Sequence, residues 1–281
     1  MTVLVLSILF VLAYAVSYSA GVNVAMARNV RGALAGETAR ESALNYALAL
    51  LEKDGGENEF DTLDERWAEG GAATVDGMEF NILIRDEDRG LNVNQATQPP
   101  NDPEKDVDLR DVLKRVVTAV GGEKTDYDVL MTACDAMRPV LFIEEVRGIA
   151  GLDERLFADE EGKPALDALL ATHPRRINVN TAPPAVIEAL WPDAGPGQEL
   201  VRRRDERPFE DESELVEFVM SHSDEKYGER LAKVLSVSSD FFTVSVAPAT
   251  GRGERLTALV RRGGPAAGLL LVRRMKLESQ P

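Results

Sequence analysis

Histidine and cysteine are almost missing from this chain: His173, His222 and Cys134 are the whole supply in 281 residues. A single cysteine excludes an intrachain disulfide, and without a cluster of the two residue types a zinc site has no donors. Positive charge is also in short supply. The count is 32 Lys and Arg against 48 Asp and Glu, a formal net charge of -16. That balance opposes the phosphate neutralisation on which nucleic-acid binding depends. No Gly-x-x-x-x-Gly-Lys-Ser/Thr loop occurs, so the chain carries no P-loop to drive work with a nucleotide. Ser221-His222-Ser223-Asp224 holds the residue types of a hydrolytic triad, but neighbours at one helix end cannot converge as nucleophile, base and orienter. An enzyme is not expected. What is present is enough apolar content, 44%, to bury one large core or two ordinary ones.

Charge is absent from one place in particular. Val3 to Ala20 is an uncharged, apolar run long enough to cross a bilayer as a helix. A secretory signal peptide would need a basic start, a shorter apolar run and a following loop. Here helical periodicity continues instead through Val24, Ala27, Val30, Leu34, Leu44, Leu48 and Leu51, with charged residues between, until Asp54-Gly55-Gly56. An unbroken helix to residue 52 would be roughly 75 Å long, half of it greasy and half amphipathic.

A hexapeptide organises the rest. Leu91-Asn92-Val93-Asn94-Gln95-Ala96 returns as Ile177-Asn178-Val179-Asn180-Thr181-Ala182. In each copy apolar residues alternate with asparagines, the period of a strand, and a residue able to turn or cap follows. In the second copy Thr181 is placed to cap a helix that opens on Pro183-Pro184, where missing amides do no harm. Met78, Phe80, Ile82 and Ile84 alternate with Glu79, Asn81 and Arg85, which predicts a half-buried strand followed by a turn at 86–90. Strand signals return at Val237 to Ala247, Glu254 to Arg262 and Leu269 to Leu277, separated by Thr250-Gly251-Arg252-Gly253 and Gly263-Gly264-Pro265. Between them the spacing is helical: 107–120, 127–137, 164–171, 183–191, 198–206 and 212–220. The expected fold class is α+β: a type IV pilin-like N-terminal transmembrane helix packed on an antiparallel sheet, with a large all-α insertion holding helix-hairpin-helix-like (SAM-like) elements. The expected division is 1–53 for the helix, 54–96 for the first part of the α+β body, 97–234 for the insertion and 235–281 for the closing strands.

These features together resemble the minor pseudopilin K family of type II secretion systems (general secretion pathway protein K). The residues that carry the resemblance are Asn92 and Asn94, Glu144 to Ile149 with Gly148, and Arg176 to Ala182 with Asn178, Asn180 and Thr181. Pro183 and the stretch Arg204-x-x-Arg-Pro-Phe209-x-x-x-x-Glu214-Leu215 complete the set. The resemblance implies a non-enzymatic subunit at the tip of a periplasmic pseudopilus, partnered by minor pseudopilins I and J. It would help initiate pseudopilus assembly and protein export across the outer membrane. It also implies a single-pass inner-membrane anchor, assigned here to Val3, Val5, Leu6, Leu9, Phe10, Leu12 and Val16, with the body in the periplasm.

Three departures qualify it. Pilin subunits generally carry glutamate at mature position 5, where Val5 stands if Met1 is the mature start; its lack is usual in this subfamily. A basic leader for prepilin peptidase is expected upstream, since Arg28 and Arg31 after the span would otherwise leave the acidic body in the cytoplasm. The family's helical module commonly binds calcium through a dense acidic loop, but the matching place here offers only Asp135, Glu144 and Glu145 as calcium candidates. The acidic runs 86–88 and 159–161 read as solvated surface.

A competing function comes from the insertion. The segment from Ile177 through Asp193-Ala194-Gly195-Pro196-Gly197 to Arg202-Arg203-Arg204 is similar to a helix-hairpin-helix unit, and a membrane-anchored DNA-binding protein of a competence or pilus system is conceivable. Asp205 and Glu206 beside those arginines, and the proline in the hairpin, favour a hairpin used for packing helices. The basic C-terminal stretch from Arg252 to Lys276, with Arg261, Arg262, Arg273 and Arg274, reads as protection of exposed edges in preference to a face for acidic partner subunits.

Overall fold

The computed structural model describes residues 2–159, 163–262 and 268–277. The expected Gly263-Gly264-Pro265 turn, and Glu160 and Glu161, lie outside them. The described helices are α1 (Thr2–Glu57), α2 (Val93–Ala96), α3 (Leu109–Ala119), α4 (Lys124–Met137), α5 (Glu144–Arg147), α6 (Leu166–Leu169), α7 (Pro184–Ala189), α8 (Ala194–Glu206), α9 (Glu212–Ser221) and α10 (Glu225–Ala232). The strands are β1 (Gly71–Val75), β2 (Met78–Asp86), β3 (Leu91–Asn92), β4 (Leu170–Ala171), β5 (Ile177–Asn178), β6 (Leu235–Ser236), β7 (Phe241–Pro248), β8 (Gly253–Arg261) and β9 (Gly268–Leu277).

Helix α1 is two objects in one element. Residues 2–35 are exposed throughout. From Ala39 the spacing changes the outcome: Ala39, Ala43, Leu44, Ala47 and Leu51 recur every three or four residues and are buried. They lie against Phe80, Ile82 and Ile84 of β2, Phe242, Val244 and Val246 of β7, and Leu256, Ala258 and Val260 of β8. Trp67 closes this core edge-on to Phe242, with ring centroids 5.2 Å apart.

The sheet has the order β1-β2-β7-β8-β9, antiparallel throughout. Strands β2 and β7 pair directly, from Phe80↔Pro248 to Asp86↔Phe242, so everything between them leaves and re-enters the sheet at neighbouring strands. Strand β1 was not anticipated, because Gly-Ala-Ala-Thr-Val offers little apolar contrast. Its signal was the Asp76-Gly77 pair: both residues have positive φ, 51 and 79°, the requirement of a two-residue hairpin turn.

The excursion holds a second, larger core, centred on fully buried residues such as Leu113, Leu130, Leu166, Leu170, Ile187, Leu190, Leu200 and Phe209. Sequence periodicity placed most of its helices but extended some too far. The 164–171 helix is one turn, α6, and Leu170–Ala171 is instead strand β4, paired in parallel with Leu91–Asn92. A matching parallel pair joins Ile177–Asn178 to Leu235–Ser236. Helices α2, α5 and α10 are not announced by the spacing: α2 takes up Val93–Ala96, so the strand expected over the first hexapeptide stops at Asn92, and α10 is capped by Asp224, whose side chain accepts from the Tyr227 amide. Strand β7 begins at Phe241 rather than Val237, because the residues between turn inward to bond Asp61, Asp86 and Asp88.

Candidate functional site

The repeated hexapeptide makes the same device twice. Asn92 Oδ1 accepts from the amides of Asn94 (2.9 Å) and Gln95 (3.3 Å), ending β3 and starting α2. Its Nδ2 donates to Pro174 O at 2.7 Å. Asn94 then grips a distant loop by both of its backbone groups: Oδ1 accepts from Val140 N at 2.8 Å while Nδ2 donates to Val140 O at 2.9 Å, and also to Thr172 O. In the second copy Asn178 Oδ1 accepts from Asn180 N at 3.0 Å. Asn180 Oδ1 accepts from Phe209 N and its Nδ2 donates to Phe209 O, both at 2.9 Å. Only a carboxamide offers a donor and an acceptor side by side, which is why asparagine stands at these four positions.

Thr181 was expected to cap α7. The N-cap is Pro183, with Pro184 in the first turn. Thr181 instead donates its buried hydroxyl to Asp86 Oδ2, and that contact opens onto a network the sequence concealed. Asp86, Glu87 and Asp88, read as solvated surface, are 1%, 5% and 5% exposed. Ser239 Oγ donates to Asp86 Oδ2 at 2.7 Å, and Asn178 Nδ2 donates to Ser239 Oγ at 2.8 Å. Asp61, 1% exposed, accepts from the Ser239 amide and from Arg262. Arg262 also donates to Asp54 Oδ2 at 2.6 Å and Ser239 O at 2.8 Å. The arginine is therefore an internal strut between α1, the second asparagine copy and the sheet, and not edge protection. Burial pushes the Asp86 carboxyl up to about 6, Glu65 to about 7 and Asp88 to about 8, and it raises Asp61 and Glu87. These acids mark the seam between the two cores.

Among the described residues the carboxylates that converge as a metal site would are Asp54, Asp61 and Glu65. Arg262 already bridges two of them. The calcium candidates are placed otherwise. Asp135 pairs with Arg138 at 3.0 Å, Glu145 Oε2 accepts from Leu141 N at 3.4 Å, and Glu144 is exposed on the first turn of α5. None of the three belongs to the group of converging carboxylates. Gly148 ends α5, its amide donating to Glu145 O at 3.1 Å.

Hairpin α7–α8 uses its arginines internally. Arg202 bridges Glu199 and Glu206, Arg203 pairs with Glu214, and Arg204 donates to the carbonyls of Val179 (2.6 Å) and Ala182. The Ser-His-Ser-Asp run is equally committed. His222 Nδ1 sits 2.8 Å from Phe218 O, Ser223 Oγ accepts from Trp191 Nε1 at 2.9 Å, and Asp224 caps α10. The anchor positions Val3, Val5, Leu6, Leu9, Phe10, Leu12 and Val16 are all more than half exposed on α1. Apolar residues continue past them, uncovered: Val22, Met26, Val30 and Leu34 follow at four-residue spacing on one stripe, with Val24 on the opposite side.

The family described as Type II secretion system (T2SS), protein K matches residues 177–224, which is the span from β5 through α9. A comparison with curated proteins finds no match. A chain in the crystal structure of the GspK-GspI-GspJ complex from the enterotoxigenic Escherichia coli Type 2 Secretion System has the same fold. Its TM-score is 0.61 at 19% identity, covering 89% of this chain and 98% of that one. This chain resembles protein K in both motif and fold. Within the protein K match lie Asn178, Asn180, Phe209 and the α7–α8 hairpin; the first asparagine copy, Asn92 and Asn94, lies before it.

Proposed function

We propose that this chain is a non-enzymatic minor pseudopilin of the protein K type. In this reading Val3 to Ala20 anchor it in the inner membrane and the body stands in the periplasm. The subunit caps the tip of a pseudopilus, where it helps initiate assembly and export across the outer membrane. The observation that carries the proposal is the uncovered half of α1. Residues 21–38 extend the helix by roughly 27 Å beyond a bilayer span, yet Val22, Met26, Val30 and Leu34, which share one stripe, are 39–60% exposed there. An apolar helical face of that length needs other helices to cover it. Pilin-type subunits with matching helices are the natural cover, and minor pseudopilins I and J are the partners proposed. The division at residues 53, 96 and 234 is kept as part of this proposal, and prepilin peptidase is its processing enzyme if a leader precedes the span.

The test is co-purification of the full chain, in detergent, with I- and J-type subunits, and titration with duplex DNA in parallel. Recovery of a stable complex, lost on combining Val30→Asp with Leu34→Asp, is expected, with no DNA affinity at physiological salt. Those positions are exposed, so folding is unchanged by the substitutions. Salt-sensitive DNA binding without pilin-like partners would overturn the proposal in favour of a membrane DNA receptor.

A further inference from the structure

Where the helical insertion rejoins the sheet there is a polar cavity of about 440 Å³. Its cations come from separate elements: Arg175 and Arg176 ahead of β5, Lys233 after α10 and Arg261 at the end of β8. Arg176 is paired with Glu212 at 2.6 Å. Among the described residues, no carboxylate lies within 4.0 Å of Arg175, Lys233 or Arg261 in an ion pair; Arg261 stacks over the Phe241 ring and Lys233 donates to Lys105 O. Unpaired cations gathered in one hollow stand out in a chain of formal net charge -16, where carboxylates outnumber cations and, among the described residues, pair with about half of the other arginines. Two acids line the same cavity, Asp88 and Asp240. Asp240 is exposed, whereas Asp88 is 5% exposed and has an Oδ1 without a hydrogen-bond partner.

We propose that this cavity binds a polycarboxylate: an anion with two or more separated carboxylate groups. Arginine meets carboxylate edge-on through paired N–H donors, and a volume of this size suits a small ligand or a short peptide segment. The cations stand on three elements rather than at one point, so the positive charge is spread around the rim. That distribution suits separated anionic groups better than a single compact phosphate. The ligand would bridge the helical insertion and the sheet, since each contributes part of the rim. Asp88 adds a pH dependence. Burial, with Asp86 and Asp240 nearby, pushes it up to about 8 against the amides of Asp240 and Phe241 that stabilise its anion. It is therefore neutral near pH 7 and becomes a repelling charge above pH 8.

The test is calorimetric titration of the full chain in detergent at low salt with citrate, tetraglutamate and inorganic phosphate. Saturable binding of citrate or tetraglutamate is expected, at least tenfold tighter than phosphate. It should weaken more than tenfold in the R175A/R261A double variant and stay unchanged in R252A, which removes an exposed cation outside the cavity. Tighter binding of tetraglutamate would point to a protein segment, and of citrate to a free small molecule. Affinity should fall as pH rises through 8 in the wild type and not in D88N. Absence of saturable carboxylate binding, phosphate binding as tight as carboxylate, or undiminished affinity in a double variant whose circular dichroism is unchanged would each overturn the proposal.

Discussion

The two asparagine copies differ by what lies across from one residue. In the first, Gln95 contributes its amide to the Asn92 turn and the unit closes on itself, gripping Val140, Thr172 and Pro174 inside the insertion. In the second, Thr181 occupies the equivalent place and reaches Asp86, while Asn178 reaches Ser239 and the Asp61 carbonyl. A duplicated sequence thus makes a duplicated clamp, but only one copy is wired to the sheet. The repeat runs further than the hexapeptide. Arg138-Pro139-Val140 and Arg207-Pro208-Phe209 each present the residue that its asparagine grips, and each is followed by a short acidic helix start. Sharing a motif, then, fixes local geometry and leaves the role to the neighbours.

Breaking the wired copy should hurt most. Arg262→Met leaves Asp54 and Asp61 facing each other without their cation, and a loss of about 3–5 kcal/mol in urea-derived stability of the folded body is expected. Next comes the comparison itself. Asn178→Ala strands buried partners on both the insertion and the sheet side and should cost about 3 kcal/mol, against about 2 for Asn92→Ala, which is 7% exposed. Equal costs would mean that the wiring adds nothing. Thr181→Val keeps the shape and removes the donor to Asp86, for about 1–2 kcal/mol; because that bond lowers the Asp86 pKa, the residue should also titrate higher by NMR. At the bottom of the scale, Arg176→Ala breaks an exposed pair with Glu212 and should change stability by less than about 1 kcal/mol.

The wired copy should also announce itself in the pH dependence. Folded-state values raised above the ordinary 3.8 for aspartate and 4.5 for glutamate favour folding in the protonated form. That contribution is whole below those ordinary values and is lost as pH climbs through about 6 for Asp86, 7 for Glu65 and 8 for Asp88. The melting temperature should therefore be higher at pH 5.5 than at pH 8.5. Asp88→Asn should flatten the alkaline end of the curve, and a profile rising toward pH 8.5 would contradict the buried network.

The long helix, the principal strands and most helices of the excursion were legible because each has its own period, an uncharged run, alternation, and three-to-four spacing; the short parallel pairs inside the excursion were not. The asparagine repeat was legible too, as a repetition, but its purpose was not. Asp86-Glu87-Asp88 looked solvated because three acids in a row carry no hint of the partners folded over them. Thr243, Ser239, Thr181 and the Asp240 amide come from distant parts of the chain. Arg262 was misread for the same reason, since its carboxylates lie 201 and 208 positions away. Period reports local geometry, whereas a buried charge is decided by what arrives from elsewhere.

The seam on α1 is built of alanines, Ala39, Ala43 and Ala47, all 0% exposed, so the helix lies with its backbone close against the sheet. Arg40 with Glu254 and Arg274 with Glu37 fasten its sides. The unsupported part, residues 2–38, is roughly 55 Å long against roughly 28 Å for the supported part. In mechanical terms this is a cantilever with a fulcrum near Ala39. A sideways force at its free end is multiplied about twofold over that supported length, so bending of the free end is felt first at the pairs beside the fulcrum, Arg40 with Glu254 of β8 and Glu37 with Arg274 of β9.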